Sequence, residues 1–225
     1  MSETKPSAEI IERNYQFIKA KMLEQMRDAI TTGRKLIDSE LQTGIFDIIT
    51  KPIVNAFYKY WSNKDLKDGT LVQIKTTLDA AKELIKNGTT QEIFEKLVDQ
   101  TFPMYLSGDQ TDRQCKKHHK NYKKLREINK KAYISQLKGA IDLLKVKETA
   151  HNYNDLVRIV YKDKETARIS LTEQLDFTDE CIKIVERDPS ILSVITAKKL
   201  ILKVLRKGFE QTRVRMNRDL DEIFK

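Results

Sequence analysis

The segment LVQIKTTLDAAKELI, residues 71–85, indicates the fold class of this chain more clearly than any other. Its apolar residues recur at steps of three and four, which places one continuous stripe along a helix. Asn87-Gly88 is a signal for the end of this helix, and Thr89 with Glu92 forms a capping box for the next one. We therefore predict two consecutive amphipathic helices, the second of which is expected to end at Pro103 and Gly108. The stripe consists of Leu71, Ile74, Leu78, Ala81 and Ile85.

Helical periodicity continues toward the N-terminus. A first helix is expected to begin near residue 7 and to end either at Gly33 or, if it runs on, near Gly44. Residues 45–61, IFDIITKPIVNAFYKYW, form the most apolar and aromatic stretch, so we place them at the centre of the core. Asp68-Gly69 predicts a turn before the next helix, which Thr70 can cap.

The C-terminal half is also helical by pattern. Residues 156–161, LVRIVY, are apolar enough for a strand, but without a partner strand a helical turn is expected. A helix should cover about 164–187, and Asp188-Pro189 is a typical start for a long last helix over 189–225. Unbroken, that helix would be roughly 55 Å long. The molecule is then elongated, unless the helix bends near Gly208.

Composition agrees with an all-α protein. The 225 residues include seven glycines and four prolines, and 33% of them are charged. Few helix breakers and many Lys, Glu, Leu and Ile favour helix over strand. No low-complexity linker and no internal repeat divide the chain. We therefore predict a single all-helical domain over 1–225, a bundle of about six to eight helices with a long C-terminal helix.

Several classes of protein are excluded by pattern. Two cysteines far apart, Cys115 and Cys181, do not make a disulfide framework, which favours a reducing, cytoplasmic location. No window approaches the 18 or so apolar residues of a membrane span. Glycine-rich phosphate loops, nucleophile elbows and paired Cys-x-x-Cys motifs are absent from the sequence. We expect a non-enzymatic protein without a cofactor and without a transmembrane segment.

The charge is concentrated in one segment. Residues 113–131, RQCKKHHKNYKKLREINKK, contain nine Lys or Arg and one acid, Glu127. A solvated helix face usually mixes both signs, so this bias indicates an anionic partner. We predict a basic helix with Asp109 as its N-cap, over about 110–136 or, in the longer alternative, to 149. A bend or break is expected near Gly139. The proposed contact residues are Arg113, Lys116, Lys117, Lys120, Lys123, Lys124 and Lys131, with Tyr122 able to stack on a base.

A second basic block lies in the last helix, between residues 198 and 218. Its positions near one helical face are Lys199, Lys203, Arg206 and Arg213. Arginine can contact phosphate with two parallel hydrogen bonds, which lysine cannot. The alternative is the charged outer side of an ordinary amphipathic helix. If this face adjoins the first basic segment, the two form one groove.

The spacing of the candidate metal ligands does not favour a metal site. Cys115 and His119 lie one helical turn apart, and Cys181 and His151 are the remaining candidates. The spacing matches no common structural zinc pattern, and the surrounding lysines disfavour a dication. Glu148 with His151 is a single Glu-x-x-His, whereas helical di-iron proteins use two. We expect no metal site.

Two functions remain. The first is nucleic-acid binding or nucleoprotein assembly, in which the basic helix contacts phosphates of DNA or RNA without strong sequence readout. The second is a helical scaffold that self-assembles into a homo-oligomer or docks on a protein partner or an anionic membrane surface. Heptad spacing in 71–85 and the long last helix favour the second, and the charge of 113–131 favours the first.

Overall fold

The prediction of an all-α bundle is confirmed. The computed structural model describes residues 5–42, 64–107, 122–187 and 195–225, and these ranges contain seven helices and no strand. Predictions on residues 45–61, on Asp109 and on Asp188-Pro189 lie outside the described ranges. The helices are α1 (Ala8–Gln42), α2 (Lys64–Asn87), α3 (Gln91–Ser107), α4 (Tyr122–Leu144), α5 (Tyr153–Tyr161), α6 (Lys164–Arg187) and α7 (Ile195–Ile223).

Five long helices form a closed ring. Around it, α1 packs on α2, α2 on α4, α4 on α6, α6 on α7, and α7 returns to α1. The short helix α5 packs on four members of this ring, α3 packs on α2 and α4, and α1 also packs on α4 across the ring. With 35 residues, α1 is roughly 52 Å long and sets the length of the bundle. The ring explains how the chain buries apolar stripes from many helices around one centre.

The stripe of α2 lies in the main core, as its spacing predicted. Ile74, Leu78, Ala81 and Ile85 are all buried, and Leu78 and Ala81 have no exposed surface. The facing side chains come from the second half of α4, where Leu137 and Leu144 are also fully buried. Fully burying a leucine side chain contributes about 1.5–3 kcal/mol to folding. This pair of helices is therefore the centre of the stabilising core.

The turn between α2 and α3 agrees with the sequence signals, with one correction. Gly88 follows α2 with φ +105°, and its N–H donates to the Leu84 carbonyl at 2.9 Å. The predicted capping box assigned the N-cap of α3 to Thr89, which was wrong. Thr90 is the N-cap, because its hydroxyl accepts the Ile93 N–H at 3.4 Å and α3 begins at Gln91. Tandem threonines make such a shift by one residue easy.

Replacing Gly88 and Gly139 by alanine should change stability in opposite directions. Gly88→Ala is expected to cost about 1–2 kcal/mol, because an L-residue is strained at positive φ. Space is not the obstacle, since the nearest atom to the new Cβ would be 3.9 Å away. Gly139 lies inside α4, and no neighbouring atom of the described residues would come within 4 Å of an alanine Cβ there. Gly139→Ala should therefore add about 0.5–1 kcal/mol. Denaturant unfolding measures both changes, and equal signs would contradict this assignment.

Several predicted helix boundaries were wrong because packing overrides local propensity. The turn expected at Asp68-Gly69, with Thr70 as the cap, is absent: α2 continues through all three residues, and Gly69 is buried. Pro103 does not end α3, which continues to Ser107 and buries Phe102 and Leu106 on either side of the proline. Burial of these two side chains offsets the backbone hydrogen bond that proline cannot donate.

Other boundaries were predicted well. Helix α1 passes through Gly33 and ends at Gln42, which matches the longer of the two predicted alternatives. Residues 156–161 are helical, as part of α5, and α6 spans 164–187 as predicted. Of the bend or break expected near Gly139, the break is absent because α4 is continuous through this residue, and α7 is likewise continuous through Gly208. Within the described ranges the basic helix covers 122–144, so it ends between the two predicted alternatives of 136 and 149.

Helix α1 holds the end of α4 through a buried amide. Asn14 has no exposed surface, and its Nδ2 donates to the Val146 carbonyl at 2.9 Å. The Leu143 and Leu144 carbonyls lie at 3.5 and 3.4 Å from the same nitrogen. The last carbonyls of a helix have no partner within the helix. Asn14 therefore supplies the C-terminal cap of α4 from another helix.

Candidate nucleic-acid interface

In the first turns of α4, the apolar side chains pack on α6 and the lysines face solvent. Leu125 and Ile128 are buried against Ile184 of α6, with Phe177 and Cys181 beside them. Lys123, Lys124 and Lys131 are exposed. We call these three residues the lysine face. Because α4 is anchored on its apolar side, the lysine face belongs to a fixed helix and not to a free arm.

Two further cations of α4 are engaged with α3. The Arg126 guanidinium lies 5.9 Å from the centre of the Phe102 ring, within range of a cation–π interaction. Lys130 Nζ lies 2.7 Å from Asp99 Oδ1, in an exposed ion pair. Both contacts join α4 to α3 at the protein surface. They also reduce the positive charge that Lys130 offers to a partner.

An aromatic group connects this region to the core. The Tyr133 ring packs against Phe102 and Tyr105 of α3, with ring centroids 6.0 and 4.7 Å apart. The Tyr133 hydroxyl lies 2.6 Å from the Thr101 hydroxyl, and burial raises the pKa of Tyr133. A fully buried tyrosine with a satisfied hydroxyl is typical of a structural anchor. The helix that carries the lysine face is therefore rigid on the side of α3 as well.

The predicted contact residues of the first block fall into two groups. Arg113, Lys116, Lys117 and Lys120 lie outside the described residues, as do Cys115, His118 and His119. Lys123, Lys124 and Lys131 are exposed, and Tyr122 is half-buried at the first position of α4. The described part of the basic segment therefore brings three of the predicted contact lysines to one exposed helix surface.

The second basic block is paired with acids that the sequence pattern did not reveal. Arg206 Nε and Nη2 donate to the two carboxylate oxygens of Glu186 on α6, at 2.6 and 2.5 Å. This hydrogen bonding lowers the pKa of Glu186 and raises that of Arg206. Arg215 Nη1 lies 3.2 Å from Asp28 on α1. These contacts join α7 to α6 and α1, and they reduce the charge that Arg206 and Arg215 offer to a phosphate on the outer surface.

The remaining predicted residues of that block differ in their surroundings. Arg213 is exposed beside a groove between α6 and α7, whose walls also carry Asp176, Asp179 and Glu210. Lys203 is exposed on α7, and the side chain of Lys199 lies outside the described residues. The acids beside Arg213 reduce the local positive potential. Among the described residues, α7 is therefore the weaker candidate for phosphate contact.

The two basic blocks are separated by an acidic helix. Helix α6 packs on α4 along one side and on α7 along the other. Its sequence contains six acidic and four basic residues. The described parts of α4 and α7 therefore do not form one groove directly. The sequence could not reveal this, because the position of α6 depends on long-range packing.

Candidate metal ligands remain scattered in the described part of the chain. Cys181 is half-buried beside Asn129, with Sγ 3.9 Å from Asn129 Oδ1. His151 is exposed, and its backbone N–H donates to Asp155 near the start of α5. No group of three or more His, Cys, Asp or Glu residues suited to a metal ion occurs among the described residues.

Comparisons with known proteins do not assign the chain to a family. No protein-family model matches it, no curated protein matches it, and no solved structure matches it. Among the helices of the described ranges, none has a stretch long and apolar enough to cross a bilayer. The geometry of the chain itself is thus what supports a functional proposal.

Proposed function

We propose that the chain binds nucleic acid without catalysing a reaction on it. The lysine face of α4 would contact backbone phosphates. The observation that supports this proposal is the exposure of Lys123, Lys124 and Lys131 on a helix whose opposite side is buried against α6. In the sequence, four further basic residues precede this helix between 113 and 120. Repeated cations on a fixed helix suit the regularly spaced charges of a nucleic-acid backbone.

The chemistry of the face favours phosphate positioning over base readout. Lysine ammonium groups are point charges with rotatable donors, which contact phosphate without strict geometry. Two arginines that could read a base edge are engaged: Arg126 lies over Phe102, and Arg206 is bound to Glu186. Binding mainly through lysine contacts to phosphates carries little sequence information. The proposed activity is therefore a nucleoprotein packaging or assembly role with weak sequence preference.

Fluorescence anisotropy with labelled oligonucleotides tests the proposal. Single- and double-stranded DNA and RNA should be titrated with the full chain over a series of salt concentrations. If about five phosphates are contacted, log affinity should fall against log salt with a slope of about −4 to −5. Anionic and neutral lipid vesicles form the comparison arm in a flotation assay. Binding to anionic vesicles with no oligonucleotide binding at low salt would replace this proposal with a membrane surface.

Removing Asp99 should strengthen binding. Asp99→Asn breaks the ion pair with Lys130 and leaves that lysine free to contact one more phosphate. One additional contact corresponds to about three- to tenfold tighter binding at low salt, and a salt slope steeper by about one. Stability should hardly change, because an exposed ion pair contributes about 0–1 kcal/mol.

Glu12→Gln is the matched control for Asp99→Asn. It breaks the exposed pair between Glu12 and Lys82, which has the same 2.7 Å separation but joins α1 to α2. Both variants raise the net charge by one, so the control measures the long-range effect alone. Equal tightening by the two variants would show that Lys130 does not reach the nucleic acid.

A further inference from the structure

The ring of helices leaves a partly open cavity of about 390 Å³, and side chains from all seven described helices line it. Pockets for small molecules measure about 300–1,000 Å³, so the size suits a ligand. Volume alone does not distinguish the cavity, because four grooves on the described surface measure about 330–420 Å³. Each of those grooves lies between two helices, whereas seven helices converge on this cavity.

The wall of the cavity is mainly apolar. It includes Met22 and Met26 of α1, Leu171 and Leu175 of α6, and Met216 of α7. Of these, only Met26 is buried; the other four are half-buried. Methionine is flexible and polarizable, so it adapts to irregular apolar shapes. Such a wall suits an alkyl chain better than a rigid polar molecule.

The charged residues of the lining are mostly cationic. Lys21 and Arg215 both line the cavity, and their side chains are 18% and 21% exposed. One carboxylate, Asp219, lines it with them, at 3.7 Å from Lys21 Nζ. A charge-assisted hydrogen bond is usually about 2.7–2.9 Å long, so this pair is loose. Two cations against one acid favour an anionic group at this end.

Two other acids contact these cations from outside the cavity. Glu24 lies 3.1 Å from Lys21, and Asp28 lies 3.2 Å from Arg215, but these acidic side chains are 60% and 51% exposed. Neither belongs to the lining. Among the groups that line the cavity, Lys21, Arg215 and Asp219 leave a net charge of +1, which favours an anionic group over a cationic one at this end.

Tyr153 shows how deeply the cavity enters the protein. Burial, with Tyr161 and Asp219 nearby, raises the pKa of Tyr153 to about 12. The same residue is only half-buried by surface area and lines the cavity. Tyr153 can be deep in the protein and still have accessible surface if that surface faces the cavity. The phenol remains a neutral hydrogen-bond donor at physiological pH.

We propose that the central cavity binds an elongated alkyl chain that ends in a carboxylate, with the chain against Met22, Leu171 and Met216 and the carboxylate beside Lys21 and Arg215. The ligand class is a medium- or long-chain fatty acid. This site is separate from the lysine face of α4, and it does not depend on nucleic-acid binding.

Isothermal titration calorimetry and thermal unfolding with dodecanoate test the proposal. Dodecanol and dodecyltrimethylammonium carry the same chain with a neutral and a cationic head. At about 100 times its Kd, dodecanoate should raise the Tm by about 5–10 °C, because it binds only the folded chain. Dodecanol should bind at least about tenfold more weakly, and dodecyltrimethylammonium weaker still, because the cations repel it.

Substitutions within and outside the cavity localise the site. Leu171→Trp or Leu175→Trp fills the cavity and should weaken dodecanoate binding at least about tenfold. Ile169→Trp is the matched control on the same helix, because Ile169 is 64% exposed and is absent from the lining. Lys21→Met should remove the preference for dodecanoate over dodecanol.

Each opposite outcome overturns the proposal. No heat and no Tm shift with dodecanoate on the unmodified chain would exclude the site, whatever the variants do. Equal losses in Leu171→Trp and Ile169→Trp would place the alkyl chain on the surface. Equal affinities for dodecanoate and dodecanol would remove the carboxylate from Lys21 and Arg215.

Discussion

Replacing Lys123, Lys124 and Lys131 together by glutamate is expected to weaken oligonucleotide binding roughly 10³-fold at about 50 mM salt. Each phosphate contact contributes about tenfold at this salt concentration, because its slope against log salt is about −0.9. Three lost contacts should therefore also flatten the salt slope by about 2.7. The three side chains are exposed, so the helix itself should persist. Anisotropy titrations over a salt series measure both quantities.

The control is a triple reversal with the same change in net charge. Lys35, Lys75 and Lys147 are exposed and lie outside the basic segment, on α1, on α2 and after α4. Their replacement by glutamate changes the long-range field but no proposed contact, so affinity should fall less than about tenfold, because salt screens charges beyond about 10 Å. Circular dichroism should show unchanged helix content in both variants. If the two triple variants lose affinity equally, then binding depends on net charge and the lysine face of α4 has no special role.

The position of the lysine face depends partly on helical spacing, which the sequence shows, and partly on contacts with other helices, which the sequence does not show. Helical spacing from 122 onward is local, and it separates Leu125 and Ile128 from the lysines without knowledge of the fold. The engagement of Lys130 and Arg126 with α3 is not local, because Asp99 and Phe102 precede them in sequence by 31 and 24 residues. The same applies to Arg206 on α7, because the sequence does not show that Glu186 of another helix neutralises it.

The fold was predicted best where the apolar period was strong. The stripe from Ile74 to Ile85 was placed correctly, and the bounds of α6 matched. Errors occurred at residues with strong local preferences, such as Gly69 and Pro103, which lie inside helices. Tertiary burial can offset about 1 kcal/mol for glycine and about 3 kcal/mol for proline in a helix. Local signals therefore located the helices, while long-range packing determined where they end.

The cap that α1 provides to α4 illustrates such long-range packing, and its loss should be among the most damaging single changes. Asn14→Leu is expected to destabilise the protein by about 2–4 kcal/mol. The leucine has the same number and branching of heavy atoms, but it removes the donor to the Val146 carbonyl and leaves the end of α4 without its partner. Those carbonyls are 129 to 132 residues away from Asn14 in sequence, and they are buried under α1. Water cannot replace the amide at a site with no exposed surface.

Denaturant unfolding followed by circular dichroism measures this loss. For a chain of this length, the expected change corresponds to a fall in Tm of about 5–15 °C. Asn217→Leu makes the same substitution at an exposed position of α7, so it should stay within about 0.5 kcal/mol of the unmodified chain. Asn14→Asp provides a second comparison, because the carboxylate keeps the shape and the contact with Arg13 Nη2 at 3.4 Å but places its charge against carbonyl oxygens without a donor. It should also be less stable than the unmodified chain. If both Asn14 variants were as stable as Asn217→Leu, the end of α4 would not need a donor from α1, and the packing of these two helices would rest on apolar burial alone.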